Sequence, residues 1–225
     1  HEYHLRQNAT ADELLNLIHR LNADDQIHGI VVQLPLPSHF NVNHIISAID
    51  PRKDVDGLHP LNIGKLTCGI KSYMPCTPVG CMLLIKTVLK KLTGLHAVMV
   101  GSSNLVGKPM GLLLLQEGCT VSFINSKTIN PQALARQADI LVVAVGKPNL
   151  VHKDWVKPGA VVIDVGINTG VDKKGESFLL GDVDFEGVST VAKAITPVPG
   201  GVGPMTVSCL LRNTVQAFKD QMQTN

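Results

Sequence analysis

The spacing of apolar residues in the second half of the chain predicts strands that alternate with helices. Short apolar runs with the length of a buried strand follow Gly94 and recur to about residue 164. The predicted strands are 95–100, 119–125, 140–145 and 160–164, and the predicted helices between them are 107–117 and 131–138. This order is typical of a doubly wound parallel sheet, so the sequence predicts the α/β class.

The first half of the chain predicts a smaller region of helices and extended structure. Thr10 and Glu13 have the spacing of a capping box, ahead of apolar residues at helical intervals. Beyond that helix we predict a buried strand at 29–37, a short helix at 43–49 and an irregular connection at 61–74.

Three more segments complete the predicted elements. A strongly apolar helix at about 79–92, opened by Pro75-Cys-Thr-Pro78, is expected to connect two lobes. Residues 172–176 predict a polar, hairpin-like turn. The last helix, about 205–222, carries an apolar stripe that we expect to be packed against other residues. We expect the same of Trp155. The residues of that stripe are Val207, Leu210, Leu211, Val215 and Phe218.

Composition narrows the class of protein. The 225 residues are 44% hydrophobic and 17% charged, which is ordinary for an α/β protein with a real core. A net charge of +2 is too small to indicate nucleic acid as the main partner, and no apolar run reaches the length of a membrane span. Five scattered cysteines indicate free thiols in a reducing compartment. We expect a cytoplasmic protein, with a mitochondrial location left open.

The stretch Val98–Met110 combines a predicted strand, a glycine loop and a helix start. Gly101 ends the apolar run, and Gly107-Lys108-Pro109 opens the helix. Free backbone N–H groups and the positive end of a helix dipole then face a ligand, which predicts a phosphate cradle. The glycines are six apart, which differs from the usual G-x-G-x-x-G fingerprint. An ordinary strand-to-helix turn is the alternative.

The end of the predicted strand at 119–125 bears on the choice of cofactor, if the glycine loop before it binds a dinucleotide. Sites for NAD usually place an acidic residue there to bind the ribose 2′-hydroxyl. This chain has Asn125-Ser126-Lys127-Thr128 instead, with no acid. A hydroxyl and a lysine suit a 2′-phosphate, which favours NADP over NAD. A solvated loop of no function is the alternative.

Polar residues at other predicted strand ends are candidates for substrate binding. Gln33 ends the strand at 29–37, and Asp54 and Asp56 follow in the next loop. Two carboxylates without a His or Cys cluster make a poor metal site, so we predict no metal. His59 is expected to be a surface or turn residue. The Gly- and Pro-rich loop 195–204 could be a close-fitting wall over a flat ligand or a rigid connector.

Taken together, seven blocks of the sequence resemble one family. In the first half they are Val32-Gln-Leu-Pro-Leu-Pro37, Lys53-Asp-Val-Asp-Gly57, Pro75-Cys-Thr-Pro78 and Gly101-Ser-Ser-Asn-Leu-Val-Gly-Lys-Pro109. In the second half they are Val162-Ile-Asp-Val-Gly-Ile-Asn168, Gly181-Asp-Val183 and Thr196-Pro-Val-Pro-Gly-Gly-Val-Gly-Pro-Met-Thr206. The family is the bifunctional methylenetetrahydrofolate dehydrogenase/methenyltetrahydrofolate cyclohydrolase, the FolD type, and the resemblance runs in order over essentially the whole chain.

The resemblance implies an architecture. It implies a catalytic, folate-binding lobe at 1–78 and a Rossmann-like NAD(P)-binding lobe at 79–203, with a cleft between them. The helix at 204–225 would pack back on the catalytic lobe, and the protein would form a homodimer.

The resemblance also implies roles for individual residues. Asp56 matches the pterin-binding aspartate, and Gln33 matches the glutamine that hydrogen-bonds the catalytic lysine. The implied substrate-binding residues are Gln33, Leu34, Pro35, Asp56, Gly200, Gly201 and Pro204. The implied cofactor-binding residues are Gly101, Ser102, Ser103, Ser126, Lys127 and Ile167.

The implied activity is oxidation of 5,10-methylenetetrahydrofolate with NADP, followed by hydrolysis to 10-formyltetrahydrofolate in one-carbon metabolism that supplies purine biosynthesis. Hydride transfer needs mainly the alignment of two rings, whereas the hydrolysis needs a group that manages protons. A non-catalytic remnant that binds only nucleotide is the alternative.

Two departures from the family pattern affect these expectations. Many members have Arg after the first glycine of the loop, where this chain has Ser102. The family's Tyr-x-x-x-Lys motif is absent, because Tyr3 is followed four residues later by Gln7 and Tyr73 by Thr77. We therefore expect an N-terminally truncated member.

Overall fold

The computed structural model describes residues 1–171 and 175–223 and divides into two compact units. Residues 1–74 and the chain from residue 210 onward make the first unit, and residues 75–209 make the second. The middle of the predicted turn at 172–176, residues 172–174, lies outside the described residues. In the part of the chain that the structure describes, no helix is both long and apolar enough to span a membrane.

The second unit is built on a five-stranded parallel sheet with the strand order β2-β1-β3-β4-β7. Its elements are α4 (Cys76–Val88), β1 (His96–Val100), α5 (Gly107–Gln116), β2 (Thr120–Ile124), α6 (Pro131–Ala135), β3 (Ile140–Val143), a 3-10 turn (Lys153–Trp155), β4 (Val161–Asp164), β5 (Asn168–Val171), β6 (Ser177–Leu180), α7 (Phe185–Ser189) and β7 (Ala194–Ile195). Strands β5 and β6 form a separate antiparallel pair. The predicted α/β class with a parallel sheet is confirmed.

Burial explains why the central strands are nearly continuous apolar runs. Every residue of β3 and β4 is buried, as expected for parallel strands covered on both faces. Trp155 packs in this core, as predicted. The other buried members of the core include Val98, Val100, Leu141, Val143, Val151, Val162, Val183 and Val188.

The first unit is mainly helical. Its elements are α1 (Ala11–Ala23), α2 (Val42–Ser47), α3 (Pro60–Thr67) and the end of α8 (Val202–Met222), a helix that begins in the second unit. The predicted capping box of α1 is present, because the Thr10 hydroxyl accepts from the Glu13 amide and the Glu13 carboxylate accepts from the Thr10 amide. Its core includes Leu14, Ile18, Ile30, Phe40, Ile45, Ile46 and Ile49.

The predicted buried strand at 29–37 is wrong. Ile30 makes an isolated bridge to Asp54, but the residues after it pair with no strand within the described chain. Exposure then alternates, with Val31 and Gln33 exposed and Val32 partly buried. The β-branched run is extended as its propensity suggests, but a ladder also needs neighbouring strands, which propensity does not supply.

The predicted irregular connection at 61–74 is also wrong in its first part, which contains α3. Pro60 lies in the first turn, and the His59 ring accepts a hydrogen bond from the Leu61 amide at 3.0 Å. His59 is therefore a helix cap, in line with its predicted turn role. Gly64 inside a short helix weakens the sequence signal.

Several predicted helices have bounds that differ from the observed ones. The helix predicted at 79–92 begins at Cys76 and ends at Val88, and all of it belongs to the second unit. Helix α6 ends at Ala135 rather than at 138.

The expected packing of the apolar stripe on the last helix is wrong for most of its members. Val207, Leu211, Val215 and Phe218 are all exposed. The buried positions lie on another side and are small or polar, at Cys209, Asn213 and Ala217. The Asn213 amide donates to the carbonyl oxygens of Val55 and Met74, both at 3.0 Å, so hydrogen bonding helps choose the inward face.

Candidate functional site

The loop between β1 and α5 is tightly folded around two glycines. Gly101 has φ +115°, and a Cβ there would overlap the carbonyl oxygen of Ala144. A Cβ on Gly107 would overlap the carbonyl oxygen of Gly101 and lie 2.8 Å from the Ser102 Cα. Glycine at both positions therefore lets the backbone fold back on itself at the carboxyl end of β1.

Ser103 organises the start of α5. Its hydroxyl oxygen accepts from the amides of Val106 at 3.2 Å and Gly107 at 3.4 Å, and its carbonyl oxygen accepts from the Lys108 amide at 3.0 Å. Two of the amides at the helix start thus bind a serine hydroxyl, which differs from the free N–H groups expected from sequence. Ser102 is partly buried in the same loop.

A third glycine brings α5 close to the sheet. A Cβ on Gly111 would overlap the Phe123 ring of β2. The spacing of Gly101, Gly107 and Gly111 thus differs from the usual fingerprint. These glycines nevertheless have two of the roles of the fingerprint glycines, because they permit a tight turn and close helix–strand packing.

The end of β2 is a well-formed turn that exposes Ser126 and Lys127. The Asn125 side chain accepts from the Lys127 amide at 2.9 Å, and the Thr128 hydroxyl accepts from the Asn125 amide at 2.9 Å. Both turn residues are exposed. No acidic side chain occurs in this turn, so a phosphate placed here would meet a lysine and a hydroxyl.

The strand order brings the predicted cofactor residues to one edge of the sheet. Strand β1 lies between β2 and β3, and Val100 at its end aligns with Ile124 on one side and Val143 on the other. The direction of winding reverses here, which is the switch point where α/β sheets bind ligands. Ile167 follows β4 at the same edge and is 67% exposed. The loops carrying Gly101, Ser126 and Ile167 therefore lie at one edge of the sheet, where the switch point predicts a crevice.

The two carboxylates of the first unit have different environments. Asp54 is 1% exposed and accepts from the amides of Leu58 and His59 and from the Asn62 side chain. Asp54 is thus a structural anchor. Asp56 is partly buried and precedes Gly57, which has φ +74°.

Gln33 and its neighbours lie on an exposed, extended segment. The Gln33 side chain is exposed and donates to the Leu34 carbonyl oxygen at 3.2 Å, rather than pointing from a strand end into a crevice. The bridge between Ile30 and Asp54 starts two parallel segments, one leading to Gln33-Leu34-Pro35 and the other to Asp56. Gln33 and Asp56 thus lie three and two residues beyond the two ends of that single bridge.

The loop that carries Gly200, Gly201 and Pro204 follows β7 in the second unit. Gly200 has φ +99°, and a Cβ on Gly201 would overlap the Pro197 carbonyl oxygen. Thr196 anchors the loop, because its hydroxyl accepts from the buried Asp164 amide at 2.8 Å. Pro204 is exposed in the first turn of α8.

The sequence-based candidates missed two buried aspartates in the second unit. Asp164 accepts from the amides of Gly166, Asp182 and Val183 at 2.9–3.0 Å. Burial raises the pKa of the Asp164 carboxyl, while these backbone donors act in the opposite direction. Asp182 is completely buried. The sequence could have pointed to both aspartates, because they lie in the blocks at 162–168 and 181–183 that resemble the family. Among the described residues, no cluster of His, Cys, Asp and Glu could hold a metal ion.

Comparison with known proteins matches both units to one family. The model of the tetrahydrofolate dehydrogenase/cyclohydrolase catalytic domain matches residues 1–56, and that of its NAD(P)-binding domain matches residues 75–222. The chain is 56% identical to bifunctional protein FolD 2 of Sinorhizobium medicae, over 100% of this chain and 75% of that protein. It is also 56% identical to bifunctional protein FolD 2 of Paracoccus denitrificans, over 96% of this chain and 71% of that protein.

Two solved structures are closely similar. The bifunctional enzyme FolD from Campylobacter jejuni superposes with a TM-score of 0.90 at 50% identity, covering 97% of this chain and 77% of that one. The dehydrogenase-cyclohydrolase of Trypanosoma brucei, solved with NADP and an inhibitor, has a TM-score of 0.90 at 40% identity, covering 96% of this chain and 75% of that one.

Proposed function

Because the chain belongs to the tetrahydrofolate dehydrogenase/cyclohydrolase family, we propose that a protein with these two domains oxidises 5,10-methylenetetrahydrofolate with NADP. With the lysine of the family's Tyr-x-x-x-Lys motif, it then hydrolyses the product to 10-formyltetrahydrofolate. The observation that carries this proposal is the match of both units to the two domains of that family. The crevice at the switch point of the parallel sheet supplies a place for the nucleotide.

The residues of the crevice suit a dinucleotide phosphate. Gly101 and Gly107 keep the backbone compact enough for a pyrophosphate to approach, and Ser102 and Ser103 supply hydroxyls beside it. We assign the 2′-phosphate to Ser126 and Lys127. Bound NADP supplies the hydride acceptor, and the work of the protein is to hold it aligned with the folate.

The choice of NADP is tested by substituting Lys127. In the Lys127→Ala protein we expect the affinity for NADP to fall by about 10- to 150-fold, because a hydrogen bond to a charged group contributes about 1.5–3 kcal/mol. The affinity for NAD should be unchanged. Lys193→Ala is the matched control, since Lys193 is exposed at the amino end of β7 and thus at the opposite edge of the sheet. NAD bound as tightly as NADP, with no effect of Lys127→Ala, would refute the assignment.

We assign the folate contacts as the family resemblance implies. They are Gln33, Leu34, Pro35, Asp56, Gly200, Gly201 and Pro204. The Asp56 carboxylate can accept hydrogen bonds from the N–H groups of a pterin edge. The capture of Asp54 by three donors of its own unit supports the choice of Asp56.

The hydrolytic step needs a group that can hold and release a proton. Gln33 and Asp56 do not fill that role, because an amide does not titrate and Asp56 is assigned to the pterin. The family's lysine motif, Tyr-x-x-x-Lys, does not occur within residues 1–225. No observation in the structure or the comparisons favours the alternative of a non-catalytic remnant.

The activity is tested by following nucleotide reduction in the purified protein. Reduced nicotinamide should accumulate with NADP only when 5,10-methylenetetrahydrofolate is present. The methenyl product has its own absorbance, so its decay reports the second step. Tight binding of NADP without any folate-dependent reduction would contradict the proposed dehydrogenase.

Assembly and location are also proposals. We expect a homodimer, as the resemblance implies, and sedimentation velocity would measure it. We place the protein in the cytoplasm, because the five cysteines are free thiols, which suits a reducing compartment. A place in one-carbon metabolism that feeds purine biosynthesis follows from the same family resemblance.

A further inference from the structure

Asp182 is a completely buried carboxylate that receives four hydrogen bonds. Its Oδ2 accepts from the amides of Val145 at 2.7 Å and Gly146 at 2.9 Å, and its Oδ1 accepts from the Lys147 amide at 2.8 Å. The Asn168 side chain donates to Oδ1 at 2.9 Å. Three consecutive backbone N–H groups that converge on an anion form a nest, the arrangement that proteins often use for phosphate.

The nest lies beside the glycine loop of the nucleotide crevice. Val145 to Lys147 follow β3, whose end adjoins the end of β1 at the switch point. Ala144, the residue before the nest, touches Gly101 so closely that a Cβ on that glycine would overlap its carbonyl oxygen. The segment bound by Asp182 is therefore the β3 side of the crevice.

The same carboxylate also binds the segment after β4. Asn168, which donates to Asp182, directly follows Ile167, the exposed residue at the crevice edge. A Cβ on Gly166 would overlap the Asp182 carboxylate, so the backbone is pressed against it. One buried charge thus fixes two of the loops that border the crevice.

We propose that Asp182 is a positioning residue for nucleotide binding, which holds the loop after β3 and the loop after β4 in the shape that the dinucleotide requires. The inference rests on the proposed function. Asp182 occupies the nest with a carboxylate of the protein itself, so the β3 loop takes its shape before any ligand binds. Loss of that charge should loosen the crevice without removing any group that touches the nucleotide.

The first test is Asp182→Asn in the full chain. The amide NH₂ would face N–H donors in place of an acceptor oxygen, so at least one hydrogen bond is lost and two donors oppose each other. Misplacement of a binding loop by about 1 Å can cost about a hundredfold in function, so we expect NADP affinity to fall about 10- to 100-fold. Hydrogen exchange at the amides of residues 145–147 should accelerate.

The matched control is Asp184→Asn. Asp184 is a neighbouring carboxylate that caps α7 by accepting from the Gly187 amide at 3.2 Å, and it binds neither loop of the crevice. NADP affinity and exchange at residues 145–147 should stay as in the wild type. Equal NADP affinity in Asp182→Asn and the wild type, or unchanged exchange at those amides, would overturn the proposal. Failure of the wild type to bind NADP would instead refute the proposed function, and the exchange measurement would still decide the role of Asp182.

A second variant tests the same proposal if Asp182→Asn does not fold. Asn168→Asp, on a partly buried strand, would place a second carboxylate at hydrogen-bond distance from Asp182, near the buried Asp164. The two carboxylates repel each other, and the hydrogen bond from residue 168 is lost. NADP affinity should therefore be lower than in the wild type.

Asn149→Asp is the control for the added charge, because Asn149 is exposed on the loop after β3 and its side chain is not among the donors to Asp182. Its affinity for NADP should stay as in the wild type. Wild-type affinity for NADP in Asn168→Asp would overturn the proposal.

Discussion

Replacement of Gly107 by alanine tests the close folding of the nucleotide loop. Gly107 is the first residue of α5, where alanine would normally improve a helix. Here the added Cβ would overlap the Gly101 carbonyl oxygen and lie 2.8 Å from the Ser102 Cα and 2.9 Å from the Gly101 carbonyl carbon. These are backbone atoms, which cannot rotate away as a side chain can, so the whole loop must move.

The expected sign follows from comparing two effects on the free energy of unfolding. The helix-propensity gain of Gly→Ala is at most about 1 kcal/mol. Overpacking that shifts the backbone costs about 1–3 kcal/mol. The net expectation is a destabilisation of up to about 2 kcal/mol, with NADP affinity reduced because the displaced loop borders the crevice.

The assay is chemical denaturation together with NADP titration of the purified protein. Gly203→Ala is the matched control for stability, since Gly203 also lies at the start of a helix of the second unit, and a Cβ there meets nothing within 4 Å. That control should be neutral or stabilised. A Gly107→Ala protein that is stabilised like the control, with unchanged NADP affinity, would refute the reasoning about the loop.

Three further predictions concern the first unit, the sheet and the activity. Asp54→Asn should destabilise the first unit by about 1–3 kcal/mol in chemical denaturation, because buried donors lose their acceptor, whereas Asp56→Asn should weaken folate binding. Folate binding weakened by Asp54→Asn but not by Asp56→Asn would exchange their roles. The hydrogen bond from Lys157 lowers the pKa of Asp139, so its stabilising effect is present above the unfolded-state pKa and is lost as the pH falls through the folded one. The difference in Tm between the wild type and Asp139→Asn should therefore shrink towards strongly acidic pH, and a constant difference would contradict this. A polypeptide of residues 1–225 should bind NADP but not hydrolyse methenyltetrahydrofolate, because it has no Tyr-x-x-x-Lys motif; equal hydrolysis by this polypeptide and an upstream-extended version would show that the catalytic group lies elsewhere.

The nucleotide-binding unit could be predicted well from sequence because its signals are local. Each buried strand is a short, nearly continuous apolar run, and glycine or proline stands close to several of the element ends. The capping box at Thr10 and Glu13 is equally local and is confirmed. Such signals act within a few residues, so tertiary contacts reinforce them rather than override them.

The predictions were wrong where contacts between residues distant in sequence determine the structure. The run after Ile30 has strand propensity, but a ladder depends on what lies beside it, and only Ile30 pairs within the described chain. On the last helix the apolar stripe is real, yet Asn213 faces inward because carbonyl oxygens of Val55 and Met74 need donors. Periodicity identifies the faces of a helix but not which of them is covered.

In the candidate site, too, local motifs were predictive and contacts between distant residues were not. Gly101 and Lys127 could be proposed from local motifs, and both lie in loops at the carboxyl edge of the sheet. The role of Asp182 could not be proposed from a local motif, because its partners at 145–147 and 168 are distant in sequence. A carboxylate that organises loops is visible only once those loops are folded around it.

The most direct test of the central claim is an NMR titration of the backbone amides with NADP. The largest shifts should occur in four loops at the carboxyl edge of the sheet, at residues 101–107, 125–128, 144–148 and 165–168, with little change at the amino ends of the same strands. Binding with shifts confined to other parts of the second unit, or no shifts at saturating NADP, would contradict the claim that this crevice binds the nucleotide.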